Sequence, residues 1–292
     1  MFRDQLRRIR MLTNVYFTRM ILGQIPRIIF GNDAGLKENL LGQKEIIRAS
    51  KLTGQKLPSN REAEILMKQG FLVLGKEFDR DLIQTIKEKY LNKVSEAELK
   101  GKSKYTNFSD ILRDIPEIKQ LLTPKINDLL ESYYGGAHYW LMSIQAWRNY
   151  HWPEAQNNKD INSNLWHNDA TPTNILKLFV FLSDDVTHDN GATKILSISD
   201  TKKVMRSGYW ERKYISRRGR KILENQQLIN FMEGETGTTF IFNPQLCVHA
   251  AGVAKPNTYR DALCLQFAPT AVPLPVDWER TVGDRKRAES YL

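Results

Sequence analysis

Cysteine is scarce in this chain: Cys247 and Cys264 are the only two. Two thiols cannot build the disulfide framework of a small secreted scaffold, and both read as small buried residues on strands. Long apolar runs are also lacking. A membrane helix needs roughly 20 apolar residues, and Arg19, Pro26 and Arg27 interrupt the one stretch that approaches it. The N-terminus has neither the unbroken apolar core nor the small-residue cleavage site of a secretory signal, so a cytoplasmic protein is expected. Internal repeats and low-complexity tracts are missing. Acidic residues run short in two places. Residues 1–56 carry eleven Lys/Arg against four Asp/Glu, and residues 202–221 carry nine against Glu211 alone. The formal net charge of +10 is therefore local rather than spread over the surface. Such segments suit an anionic partner, such as a phosphate, nucleotide, glycan acid or lipid headgroup, and equally suit a solvated basic surface.

What is present describes a globular protein. Of the 292 residues, 41% are apolar, with twelve Phe, eleven Tyr and six Trp, enough for one large domain with appendages. Residues 2–25 read as a basic amphipathic helix, with Phe2, Leu6, Ile9, Leu12 and Tyr16 at helical spacing. Residues 1–30 could therefore touch an anionic membrane or a partner protein, while nucleic acid is not the expected partner. Gly31–Gly35 and Pro58-Ser59-Asn60 break the pattern. Residues 1–60 are thus a basic helical extension and connector, and residues 61–292 form the main domain.

Asn60, with Glu62 and Glu64, marks the start of a helix over residues 61–69. A short strand at 70–75 and a helix at 79–92 follow, then more helix over 110–134, broken near Pro116 and Pro124. From Tyr139 onward the pattern turns to strands, at 139–149, 174–183, 192–197, 238–242 and 260–268. Helices first and strands after predict an α+β protein whose second half is a barrel or sandwich.

Three features of that second half carry chemistry. In His167-Asn168-Asp169 the outer two side chains share a face if the segment is extended. Thr238–Phe242 ends in a turn at Asn243-Pro244 and delivers His249. A hairpin then leads into a strand beginning at Arg260. Two imidazoles and one carboxylate can occupy one face of a ferrous ion and leave the other positions open. An inward-facing guanidinium beside them can bind a carboxylate through its planar fork.

This arrangement resembles the phytanoyl-CoA dioxygenase-like family of Fe(II)/2-oxoglutarate oxygenases. The resemblance rests on His167-x-Asp169, His249, and Arg260 eleven positions later. Gly70–Leu74, Leu176–Asp185 and Asn190-Gly191-Ala192-Thr193 add to it, and it spans residues 63–270. It implies a double-stranded β-helix, or jelly roll, with Fe(II) held by His167, Asp169 and His249. It further implies a 2-oxoglutarate cosubstrate chelating the metal and meeting Arg260 with its far carboxylate, and O2 as second cosubstrate. Hydroxylation with release of succinate and CO2 is the implied outcome, and Asp169 favours it over halogenation. Gln145 and Asn149 resemble a Gln-x-x-x-Asn cosubstrate-binding pair, although the stretch from Asn149 to His167 is longer than in members that carry it. Ala251 stands where many members have a hydroxyl residue, so Thr238 or Thr239 is expected to assist Arg260.

Residues 200–235 lie between the two ligand-bearing halves and mix basic residues with Tyr209, Trp210 and Tyr214. A lid over the mouth of the site is one reading, and a solvated helix is the other. A small or carrier-linked anionic substrate fits the charge pattern. Two further classes stay open: a metal-binding jelly roll that is not an oxygenase, such as an isomerase or cupin-like binding protein, and a non-catalytic membrane- or nucleic-acid-associated protein. His138, His151 and His188 read as surface or supporting residues. Trp147 and Trp166 are expected in or around the pocket, with Trp166 facing away from His167.

Overall fold

A computed structural model describes residues 60–99, 105–108, 111–136, 138–151, 165–169, 174–207, 209–210 and 214–270. The basic segment 1–59 and the last residues, 271–292, lie outside the described residues, and so does the expected amphipathic helix over 2–25.

Helix α1 (Arg61–Gln69) starts where the sequence signals it, with the Asn60 side chain accepting a hydrogen bond from the Ala63 amide at 3.0 Å. It stops at Gly70, which sits at φ 86°. A side chain could not replace that hydrogen: a Cβ on Gly70 would lie 2.3 Å from the Cys247 Sγ. Strand β1 (Phe71–Lys76) leads into α2 (Arg80–Leu99) and β2 (Tyr105–Phe108). The prolines divide the next region as expected. Helix α3 (Ile111–Asp114) ends before a 3-10 turn that opens at Pro116, and α4 (Pro124–Tyr133) is capped by Thr123, whose side chain accepts from the Ile126 amide.

The strands form two sheets. The larger has the order β1-β9-β4-β11-β3-β2, where β3 is His138–Tyr150, β4 is Leu176–Phe181, β9 is Thr238–Phe242 and β11 is Tyr259–Thr270. The smaller has the order β10-β5-β8, with β5 at Thr193–Leu196, β8 at Ile229–Met232 and β10 at His249–Ala250. All of these pairings are antiparallel.

Side-chain alternation along β4, β9 and β11 sorts residues to two faces. Leu178, Val180, Ile241, Leu263 and Leu265 join the core formed with Leu66, Ile86, Tyr90 and Leu129 of the helices. Phe179, Phe181, Phe240, Phe242, Ala262 and Cys264 point the other way and pack with Ile195 and Met232 of the smaller sheet. The helices therefore cover one face of the large sheet, and the small sheet closes over the other. Burial on both faces explains why β4 reads Leu-Lys-Leu-Phe-Val-Phe, with a single charge and no simple alternation of polarity.

Residues 198–232 are not one loop. They hold α5 (Ile198–Arg206), a two-residue hairpin of β6 (Tyr209–Trp210) and β7 (Tyr214–Ile215), α6 (Arg217–Leu223) and then β8 of the small sheet. Val204, Met205 and Leu223 pack with Leu196 and Val248. Trp166 packs against this cluster. Among the described residues, no helix is long and apolar enough to cross a membrane. Cys264 is buried on β11, whereas Cys247 is buried in the turn before β10 rather than on a strand.

Candidate metal centre

The backbone brings His167 and His249 together before the side chains act. His167 donates to the His249 carbonyl at 2.9 Å, and the His249 amide donates back to the His167 carbonyl at 2.7 Å. Two residues on, the Asp169 amide donates to the Pro244 carbonyl at 2.8 Å. The His-x-Asp segment thus lies against β10, which itself pairs with β5 through His249↔Ile195. The turn feeding His249 is fixed from several sides. Asn243 Oδ1 accepts from the amides of Gln245 and Leu246, its Nδ2 donates to the Tyr133 hydroxyl at 3.0 Å, and the Thr201 hydroxyl accepts from the Val248 amide.

His167, Asp169 and His249 offer ligand atoms that all lie within 4.8 Å of one another. The Nε2 atoms of His167 and His249 are 3.6 Å and 3.9 Å from Asp169 Oδ1. Donors about 2.1 Å from one shared ion would stand roughly 3–3.5 Å apart, so a small contraction completes the set. Each imidazole is also held in the tautomer a metal needs. His167 Nδ1 lies 2.6 Å from the Leu165 carbonyl and His249 Nδ1 lies 2.9 Å from the Cys247 carbonyl. A carbonyl only accepts, so each Nδ1 carries the proton and each Nε2 presents a lone pair. Burial, with the neighbouring His167, pushes the His249 pKa down to about 3, so its ring is neutral.

Asp169 has a partner that sequence reasoning missed. Lys177 Nζ lies 2.6 Å from its Oδ2. Burial opposes ionisation of Asp169, but the adjacent Lys177 ammonium outweighs it and holds the carboxyl below its usual range. The signal was present: Lys177 is the single charge in the apolar β4 run, in phase with the inward Phe179 and Phe181.

Arg260 points into the space between the sheets. It is 3% exposed, and its NH1 donates to the Gly191 carbonyl at 2.7 Å and to the Thr193 hydroxyl at 3.0 Å. The hydroxyl beside Arg260 is therefore Thr193. Thr238 and Thr239 do not fill that place: Thr239 donates to the Gly237 carbonyl and Thr238 lies against Gly234. Asn190 supports the same corner by accepting from the Lys255 amide and the Thr258 hydroxyl in the hairpin before Arg260. Gly191 (φ 80°) leaves room there, since a Cβ on it would stand 3.2 Å from Arg260 Cβ.

Strand register places the remaining expected residues. Asn149 is the cross-strand partner of Arg260, Trp147 of Ala262 and Gln145 of Cys264. Cross-strand partners share a face, so these three β3 residues look into the same cavity. Trp147 packs edge-on against Phe179 at 5.5 Å. Asn149 Oδ1 is buried with no hydrogen-bond partner among the described residues. Two histidines set aside in the sequence are away from the cluster: His151 Nδ1 meets the Ala254 carbonyl, and exposed His188 faces Glu233.

No protein-family model matches the chain, and no curated protein matches it by sequence. Solved structures do. EctD from S. alaskensis, in its apoform, is similar over 75% of this chain and 82% of that one, at 15% identity and a TM-score of 0.53. The fold is a double-stranded β-helix. It is the fold that the resemblance to phytanoyl-CoA dioxygenase-like oxygenases implied. HygX from Streptomyces hygroscopicus, with nickel and 2-oxoglutarate bound, is similar over 78% of this chain and 95% of that one, at 12% identity and a TM-score of 0.49. The non-heme alpha ketoglutarate dependent epimerase SnoN from nogalamycin biosynthesis is similar over 72% and 80%, at 16% identity and a TM-score of 0.48.

Proposed function

We propose that the protein is an Fe(II)- and 2-oxoglutarate-dependent oxygenase that hydroxylates a small or carrier-linked, anionic organic substrate. The observation that carries this reading is the relation between the His-Asp-His cluster and Arg260. Arg260 bonds Thr193, two residues along β5 from Ile195, the partner of His249. At about 3.3 Å per residue the guanidinium sits roughly 7 Å along the strand from the His249 row. A five-carbon 2-oxo diacid bridges a gap of that size. A jelly roll that only binds a metal has no use for a buried guanidinium there.

The residues divide the work. His167, Asp169 and His249 would hold Fe(II), with both Nε2 lone pairs and one carboxylate oxygen on one side of the ion. Arg260 would receive the far carboxylate of 2-oxoglutarate. Asn149, with its unspent amide oxygen, and Gln145 line the cosubstrate cavity from β3. Phe179, Phe240, Phe242 and Trp147 keep water out of it. Bound iron, with 2-oxoglutarate and O2, would supply the oxidising power, coupled to release of succinate and CO2. The substrate's anionic character is inferred from the basic residues of α5 and α6, which adjoin the segment before His249.

Anaerobic titration of the metal-free protein with Fe(II) and 2-oxoglutarate tests the assignment. A visible charge-transfer band that requires both supports it. Metal binding that ignores 2-oxoglutarate points to a non-oxygenase jelly roll.

A further inference from the structure

The inner face of the large sheet carries a second set of polar side chains, at the end away from Arg260. We propose that Lys177, Gln266 and Ser143 form a substrate-binding subsite that receives a single carboxylate of the substrate beside the metal. The inference deepens the oxygenase reading above and rests on it.

Strand register puts the three side chains together. Lys177 on β4 is the cross-strand partner of Gln266 on β11, and Gln266 is the partner of Ser143 on β3. Cross-strand partners share a face. Phe179 and Cys264, in phase with Lys177 and Gln266, show that this is the face turned to the small sheet. Along β11 it reads Arg260, Ala262, Cys264 and Gln266, so Arg260 and Gln266 stand about 20 Å apart along the strand. Lys177 Nζ reaches Asp169 Oδ2 at 2.6 Å. The metal cluster thus lies between the two ends. With the far carboxylate of 2-oxoglutarate at Arg260, a group held by Lys177, Gln266 and Ser143 meets the ion from the opposite side. The Gln266 and Ser143 side chains have no hydrogen-bond partner among the described residues. Both are half-buried, and the Lys177 side chain is 18% exposed, so a ligand can reach them while bulk water is held back.

Charge and donor capacity name the ligand. In the loaded site a divalent ion faces the single negative charge of Asp169 and the two of 2-oxoglutarate, while Arg260 and Lys177 add one positive charge each. One positive charge is left over in a largely buried space, where an uncompensated charge is costly. It falls to Lys177, because Arg260 faces the far carboxylate and Asp169 is then shared with the ion. An ammonium has three donors, of which Asp169 takes one; the Gln266 carboxamide adds two and the Ser143 hydroxyl adds one. A carboxylate brings one negative charge and about four acceptor sites, which matches that set. A neutral hydroxyl or amide would leave the ammonium without a counter-charge. Phe242, the other cross-strand partner of Lys177, and Phe71 beside it on β1 give the rest of the substrate an apolar wall.

The experiment loads the protein anaerobically with Fe(II) and saturating 2-oxoglutarate and reads binding as a change in the charge-transfer band. The probes are acetate, butanoate, hexanoate and octanoate, each set against the primary amide of the same length. The wild-type chain is compared with Gln266→Leu, Ser143→Ala and Lys177→Met, and the 2-oxoglutarate affinity of each is measured separately. The proposal expects at least one acid to bind the wild type about ten- to a hundredfold more tightly than its amide, the range for hydrogen bonds to a charged group. It expects that preference to fall several-fold in Gln266→Leu and in Ser143→Ala and to vanish in Lys177→Met, with 2-oxoglutarate affinity within a few-fold of wild type throughout. If Lys177→Met does not fold, the two uncharged variants carry the comparison. An acid preference that survives both Gln266→Leu and Ser143→Ala would place the acid on the ion itself and overturn the subsite. So would a wild type that binds no acid better than its amide. Loss of 2-oxoglutarate affinity in Lys177→Met would assign the ammonium to the keto-acid end and likewise overturn it. A wild-type protein showing no 2-oxoglutarate-dependent band would overturn the oxygenase reading, and this proposal with it.

Discussion

Lys177 and Asp169 form an ion pair inside the metal-type cluster, with Nζ 2.6 Å from Oδ2 while Oδ1 faces both imidazoles. The two carboxylate oxygens therefore have separate duties. One is turned to the place an ion would take, and the other is held by a cation. In the metal-free chain Lys177 compensates the charge of a carboxylate whose side chain is only 16% exposed.

Linkage turns that pair into a prediction. Lys177→Met should destabilise the metal-free protein by about 2–4 kcal/mol, because a largely buried carboxylate loses its partner. A bound divalent ion supplies the missing charge, so cobalt(II) should raise the melting temperature of Lys177→Met more than that of the wild type. Thermal melts of both proteins, with and without cobalt(II), measure the difference. Equal gains would show that Lys177 does not act on Asp169.

The two histidine positions make a different case, because their backbone bridge does not depend on the rings. His249→Ala or His167→Ala should each keep both 2.7–2.9 Å backbone bonds and hence the fold. What is lost is a metal ligand. Cobalt(II) stoichiometry should fall toward zero in each single variant while circular dichroism stays as in the wild type. A variant that still binds one cobalt tightly would remove that histidine from the ligand set.

Arg260→Lys should fail to conserve function. The guanidinium spans Gly191, Thr193 and the proposed carboxylate at once, which a single ammonium cannot do. Loss of charge-assisted bonds worth roughly 1.5–3 kcal/mol should weaken 2-oxoglutarate about ten- to a hundredfold in the anaerobic titration. Cobalt(II) affinity should not move. Unchanged 2-oxoglutarate binding would place the far carboxylate elsewhere.

Local patterns in the chain were enough for the long strands, for the helix start at Asn60 and for the breaks near Pro116 and Pro124, because caps, prolines and apolar periodicity act over a few residues. The metal cluster was legible for another reason. His-x-Asp and a later His before a hairpin is a pattern in residue type and spacing. What stayed hidden depends on which strands face each other across the cavity. Strand β10 has two residues, too few for any periodicity, yet it aligns His249 with His167. Lys177 and Thr193 sit on strands whose inward phase is visible, but their partners come from segments 8 and 67 positions away in sequence. Thr238 and Thr239 were the expected helpers of Arg260 for the same reason in reverse: hydroxyl residues on a strand of the large sheet look suitable until the small sheet is set against it.

One more pair governs the site from the opposite face. Arg148 donates from Nε and NH2 to both oxygens of Asp261, at 2.8 and 2.7 Å, while the Tyr90 hydroxyl donates to Oδ1 and the Ser183 hydroxyl accepts from the Asp261 amide. Arg148 also lies 3.5 Å from the centre of the Tyr259 ring. Asp261 and Arg148 are cross-strand partners, and the next pair in the ladder is Arg260 with Asn149. A one-residue slip of β11 against β3 would turn Arg260 away from the cavity, and it would also bring Asp261 into the apolar space between the sheets. The buried ion pair is therefore expected to favour this register over the slipped one. Asp261→Asn leaves a buried guanidinium without its counter-charge, and it should cost about 3–5 kcal/mol in urea unfolding. Replacing both partners, as Arg148→Met with Asp261→Leu, should recover much of that loss, because the desolvation of two charges is removed with the bond. The same double variant should bind 2-oxoglutarate less tightly than its stability implies, since the ion pair no longer favours the register that turns Arg260 inward and leaves that task to its bonds with Gly191 and Thr193. If the double variant matches the wild type in both unfolding and 2-oxoglutarate titration, apolar packing alone sets the register, and the pair has no part in aiming Arg260.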